Sequence, residues 1–144
     1  MPDSFDPLKL ENQLCFPLYA ASRGIIKLYK PHLDKLDLTY TQYITMMVMW
    51  EEKRVCVKEL GERLFLDSGT LTPLLKKLEA KGLITRERSK QDERALDVSV
   101  TPTGEALREE ALHVPEAMAG CMPLAPEEAA QLYGLLRKML GNLS

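Results

Sequence analysis

Val57-Lys58-Glu59-Leu60-Gly61-Glu62-Arg63-Leu64, then Phe65-Leu66-Asp67, then Ser68-Gly69-Thr70-Leu71-Thr72-Pro73-Leu74-Leu75-Lys76-Lys77-Leu78-Glu79-Ala80-Lys81, is the stretch that decides the fold. Two helical segments parted by about three residues have the spacing of a helix-turn-helix. In the second, Leu71, Leu74, Leu75 and Leu78 fall at i, i+3, i+4 and i+7, one apolar stripe. Ser68, Gly69, Thr70, Thr72, Lys76 and Lys77 lie opposite, small or basic groups able to approach a base edge or a phosphate. Asp67 or Ser68 suits the N-cap, and Gly82 suits a left-handed C-terminal stop, with Leu83 folding back on Leu78. Pro73 falls early enough that its missing N–H is a modest loss.

Two strands follow, Leu83–Arg88 and Ala95–Val100, around the loop Ser89-Lys90-Gln91-Asp92-Glu93-Arg94. They read as a wing made basic by Arg86, Arg88, Lys90 and Arg94. Lys53 to Arg94 holds 11 Lys/Arg against 7 Asp/Glu, +4, so the remainder of a chain with net charge −2 carries −6. Positive charge is therefore concentrated where phosphates would be met, and double-stranded DNA is the expected partner.

The flanks are helical. Apolar residues recur from about Pro7 to Tyr29, with Pro17 as an irregularity and Pro31 predicted to end the helix. A second helix, Thr39 to about Glu51, is expected to turn Tyr43, Met46, Met47 and Trp50 inward. Thr101-Pro102 starts another helix, interrupted near Gly120–Pro123, and a last one begins near Pro126 with the stripe Leu132, Leu135, Leu136, Met139, Leu140. The predicted fold is mainly α with a small β wing. It is one domain over 1–144, with a winged helix-turn-helix at about 35–104 between dimerisation helices at about 7–31 and 102–142. The outer helices lack an obvious partner within so small a lobe, which predicts a two-fold homodimer that sets two reading helices one DNA turn apart on an inverted-repeat operator.

At 144 residues and 45% hydrophobic the chain can bury a core, and no apolar run approaches the roughly 18 residues of a membrane span. Met1-Pro2-Asp3-Ser4-Phe5-Asp6 lacks the basic-then-apolar plan of a secretion leader, so the cytoplasm is expected. Cys15, Cys56 and Cys121, even with His32 and His113, match no zinc spacing, so no metal or cofactor is expected. Cys56, in a short strand before the helix-turn-helix, reads as buried. No catalytic constellation is legible, and an enzyme is not expected.

The order helix, helix, winged helix-turn-helix, two terminal helices resembles the MarR family of regulators, with Asp92-Glu93-Arg94 and Val100-Thr101-Pro102-Thr103-Gly104 similar to its wing. Three upstream pieces resemble that family's organic-hydroperoxide-sensing repressors: Leu10 to Tyr19; Tyr29-Lys30-Pro31 with Leu38-Thr39-Tyr40-Thr41-Gln42-Tyr43; and Leu66 to Pro73. The resemblance implies a dimeric repressor released when Cys15 is oxidised by an organic hydroperoxide, with Tyr29 and Tyr40 reaching the sulfur across the interface. It also implies that Cys121 of the other subunit, or a low-molecular-weight thiol, resolves the oxidised sulfur. The chemistry is that of a thiolate attacking an O–O bond to give sulfenic acid, with phenolic hydroxyls as hydrogen-bond donors. Three alternatives stand beside this reading: a MarR-type repressor released by a phenolic or other small molecule held between the dimer arm and the winged lobe; a thiol peroxidase; and a winged-helix module that never touches DNA.

Overall fold

A computed structural model describes residues 5–143; Met1–Ser4, most of the acidic N-terminal stretch, and Ser144 lie outside the described residues. After a single 3-10 turn (Leu10–Asn12) come α1 (Cys15–Asp34), α2 (Tyr40–Glu52), β1 (Arg54–Cys56), α3 (Val57–Leu64) and α4 (Ser68–Ala80). The hairpin β2 (Ile84–Arg88) and β3 (Leu96–Val100) leads to α5 (Pro102–Ala111), α6 (His113–Cys121) and α7 (Pro126–Leu143). The antiparallel sheet has the order β1-β3-β2, with Val55 and Arg86 flanking Val98 and Ile84 opposite Val100. The architecture is the expected one, mainly helical with a small β wing, to whose hairpin β1 adds a third strand. Among the described residues no helix is long and apolar enough to cross a membrane.

Local chemistry sets most boundaries. α2 starts in a capping box: Thr39 Oγ1 accepts the Gln42 N–H at 3.3 Å, and Gln42 Oε1 accepts the Thr39 N–H at 3.0 Å. α4 ends in a Schellman motif, with the Leu83 N–H on the Leu78 carbonyl, the Gly82 N–H on the Glu79 carbonyl, and Gly82 at φ 76°. Thr101 caps α5 by accepting the Gly104 N–H, while its own hydroxyl donates to the Gly82 carbonyl at 2.6 Å. Gly104 is there because nothing larger fits: a Cβ would lie 2.2 Å from the Leu83 carbonyl oxygen. Its own carbonyl accepts the Trp50 indole N–H at 2.8 Å, closing α2 against α5.

Four expectations need correction. α1 begins at Cys15 rather than near Pro7 and runs on through Pro31 to Asp34. Pro17 is its third residue, where a backbone N–H has no helical partner to lose. Past Pro31, Leu33 is 2% exposed and Leu36 and Leu38 of the following turn are also buried. Full burial of one leucine contributes roughly 2 kcal/mol, so these three together outweigh a proline penalty of about 3 kcal/mol. Met47 is 45% exposed, because the inward face of α2 is filled by Tyr43, Met46, Met49 and Trp50. Cys56 is only half-buried; its Sγ caps α3 by accepting the Glu59 N–H at 3.4 Å. The break expected near Gly120–Pro123 is present between α6 and α7, and a further one at Leu112 divides α5 from α6.

Candidate nucleic-acid interface and redox site

α4 buries Leu71, Leu74, Leu75 and Leu78 against the core and leaves Ser68, Gly69, Thr70, Thr72, Lys76 and Lys77 exposed. Its start is held by Asp67, whose Oδ1 accepts the Thr70 N–H at 2.7 Å. That backbone bond holds the Asp67 carboxyl below its ordinary value. The approach of α3 to α4 depends on Gly61, where a Cβ would stand 2.9 Å from the Leu66 carbonyl oxygen. Phe65 then turns the chain through a left-handed residue at φ 55°.

The wing arginines divide. Arg86 is folded inward: its Nη2 lies 3.1 Å from Glu79 Oε1, and its backbone N–H donates to Glu79 Oε2 at 3.2 Å. This pairing draws the Glu79 carboxyl below its ordinary value. Arg86 therefore ties β2 to α4, and its guanidinium is not free for a phosphate as the sequence suggested. Arg88 Nη1 donates to the Glu93 carbonyl at 2.9 Å and shapes the wing loop from an exposed position. Lys90 and Arg94 are exposed at the wing tip, where Asp92 Oδ1 accepts the Arg94 backbone N–H.

Cys15 is the exposed first residue of α1. Tyr29 lies fourteen residues further along the same helix, roughly 21 Å away at 1.5 Å per residue, and packs on Tyr40 with ring centroids 4.9 Å apart. Tyr43, expected only as a core residue, completes the cluster, 5.9 Å from Tyr29 and 6.5 Å from Tyr40. Its spacing to Tyr40, one helical turn away on α2, is the signal that could have revealed this. Burial holds all three phenols above their ordinary value, so each keeps its proton and is a donor at neutral pH. Within one subunit the tyrosines and Cys15 stand a helix-length apart.

Cys121, the exposed last residue of α6, is also far from the Cys15 of its own chain. His113, at the start of α6, packs against His32 near the end of α1, ring centroids 6.3 Å apart. Even if α6 ran straight back along α1, Cys121 would stop about 13 Å short of Cys15 along the axis; a disulfide needs Cα atoms within about 7 Å. An open cleft of about 550 Å³ runs along α1 beside Leu14, Pro17 and Leu18 to Tyr40, with Leu132 and Leu136 of α7 as its other wall. Among the described residues no group of three or more His, Cys, Asp or Glu is placed to hold a metal ion.

Residues 27–111 match the family described as transcriptional regulator SarA/Rot. Over 143 residues, 99% of this chain and 97% of the relative, the sequence is 49% identical to the organic hydroperoxide resistance transcriptional regulator of Bacillus subtilis (strain 168). The structure of reduced AbfR bound to DNA superposes with a TM-score of 0.77 at 36% identity, over 94% of each chain. Disulfide-formed AbfR superposes with a TM-score of 0.68, over 93% of this chain and 91% of that one; AbfR is a protein of Staphylococcus epidermidis. The chain belongs to the MarR family of transcriptional regulators, in the branch of the organic hydroperoxide resistance regulators.

Proposed function

We propose that this protein is a homodimeric, DNA-binding repressor that leaves its inverted-repeat operator when Cys15 is oxidised by an organic hydroperoxide. The observation that carries the reading is the separation of an exposed Cys15 from a three-tyrosine cluster built around Tyr29, fourteen residues further along α1: a second copy can bring the two together. In a two-fold dimer the tyrosines of one subunit supply O–H donors to the sulfur of the other. The exposed apolar residues Leu14, Phe16, Leu18, Ile26, Leu132 and Leu135 supply a surface to be buried. Attack of the Cys15 thiolate on the O–O bond gives sulfenic acid and an alcohol, once per subunit rather than in turnover. Such a regulator works in the cytoplasm, beside its DNA.

Ser68, Gly69, Thr70 and Thr72 are assigned to base edges or adjacent phosphates, Lys76 and Lys77 to phosphates, and Arg88, Lys90 and Arg94 to the wing's contact with the backbone or minor groove. The better superposition on the reduced, DNA-bound relative than on the disulfide form supports reading the present conformation as the one that binds. Cys121 of the partner is the proposed resolving thiol, condensing with the Cys15 sulfenic acid with loss of water.

The test is operator binding by wild type, Cys15→Ser and Cys121→Ser, before and after one equivalent of an organic hydroperoxide. Wild type is expected to dissociate and Cys15→Ser to stay bound. Cys121→Ser is expected to form no intersubunit disulfide on a nonreducing gel; a disulfide dimer in that variant would remove Cys121 from the scheme.

One observation favours a second reading, release by a small aromatic ligand. A cleft of about 360 Å³ opens between Tyr43, Met47 and Trp50 on α2 and Arg108, Leu112 and Pro115 on the α5–α6 side. Operator release by a phenolic compound, with no response to hydroperoxide, would favour it.

A further inference from the structure

α1 belongs to two parts of the molecule. Its first eighteen residues contribute no buried side chain, whereas Leu33 near its end is embedded in the winged lobe. The turn that follows is anchored by Leu36 and Leu38, 6% and 5% exposed, and between them Asp37 takes a left-handed backbone at φ 55°. A non-glycine residue in that region is unusual, although aspartate is among those that tolerate it. In this turn the Asp37 carbonyl accepts a hydrogen bond from Lys81 Nζ.

Lys81 is the C-cap of α4, the DNA-reading helix. Its ammonium also donates to Gln42 Oε1 at 3.2 Å and lies 3.6 Å from Asp37 Oδ2, so two hydrogen bonds and an ion-pair contact hold it. Gln42 is 4% exposed, and the same Oε1 accepts the Thr39 N–H that completes the α2 capping box. One buried amide thus serves the start of α2 and the end of α4 together. Among the described residues, Lys81 is the only side chain of α4 or its caps that hydrogen-bonds the 30–42 segment. The leucines of α4 hold it against the core but have no directional preference about its axis; a three-point polar contact does.

We propose that Lys81 is a positioning residue: it sets the angle of α4 against the end of α1, and thereby links the arm that carries Cys15 to the helix that reads DNA. This rests on the DNA-reading assignment of α4. Without the link the recognition helix stays folded and packed but loses its register on base edges, while contacts with phosphates, which tolerate small shifts, persist.

The experiment compares two duplexes for the reduced protein: an inverted repeat selected by the wild type from a randomised pool, and a scrambled duplex of the same composition. Lys81→Met keeps the stem and removes the charge. It is expected to bind the selected duplex about tenfold more weakly, with scrambled binding within about twofold of wild type. Asp37→Asn keeps the backbone carbonyl and is expected to retain the discrimination. After hydroperoxide, the wild-type loss of operator affinity should shrink at least about fivefold in Lys81→Met. Equal weakening on both duplexes, with the salt dependence lowered by about one ion, would make Lys81 a phosphate contact and overturn the proposal. A lowered melting temperature with discrimination intact would make it merely structural. Wild type that binds neither duplex removes the DNA reading itself. Wild type that discriminates but ignores hydroperoxide removes only the redox reading and leaves the duplex comparison to decide for Lys81.

Discussion

Every fully buried apolar side chain among the described residues lies between Leu33 and Met118, while α1 up to His32 and the described side chains of α7 contribute none. In the first region Trp50, Leu60, Leu78 and Val98 meet from different elements, and polar ends are capped by Asp67, Thr39, Cys56 and Thr101. In the second, Leu14, Tyr19, Tyr133 and Leu135 are all more than half exposed. The helices of both regions carry apolar stripes, so propensity does not separate them. What separates them is whether one chain supplies both faces of the contact. The lobe closes its core within one subunit; in the proposed dimer the arms acquire theirs against another subunit, and Cys15, the proposed sensor, sits on an arm.

The sharpest way to break this contrast is inside the lobe. Gly104→Ala would drive a methyl group into the Leu83 carbonyl and the Val100 side chain, at 2.2 and 2.8 Å. It is expected to cost about 3 kcal/mol or more in a denaturant titration; a cost under about 1 kcal/mol would show that the α5 start is slack. On the arm, Leu132→Glu is expected to leave the melting of the lobe nearly unchanged while halving the mass seen in sedimentation. Operator affinity should fall roughly 100-fold through loss of the second reading helix. Retention of the dimer would place the interface elsewhere.

Smaller effects sharpen the comparison at the surface. Arg94→Ala and Lys76→Ala should each weaken operator binding without unfolding the lobe, and each should lower the salt dependence by about one ion. Arg86→Ala, by contrast, should act through stability, since its guanidinium is spent on Glu79. Least of all, Glu79 adds an acid-sensitive contribution. Its carboxyl titrates below its ordinary value in the folded state, so the stabilisation is present above pH 4.5 and is lost as pH falls through the lowered value. Glu79→Gln should remove that part of the acid dependence, seen as a flatter midpoint-versus-pH curve below pH 4.5; an unchanged curve would show the pair to be inert.

Local sequence was enough for the helix-turn-helix, the wing, the cap at Thr101 and the stop at Gly82, and narrowed the α4 cap to Asp67 or Ser68, because these depend on neighbours within a few residues. Cys15, Tyr29 and Tyr40 were found through resemblance to a known family, since a lone cysteine on an apolar helix carries no local signal of reactivity. Tertiary structure decided the rest. It carried α1 through Pro31, because burial of Leu33, Leu36 and Leu38 together outweighs a local penalty that sequence rules count alone. It exposed Met47, added Tyr43 to the phenol cluster, turned Arg86 onto Glu79 and joined Lys81 to Gln42 and Asp37 across about forty residues of chain. A side chain's charge and shape are written locally, but its partner is whatever the folded chain brings within about 3 Å, and only packing determines that.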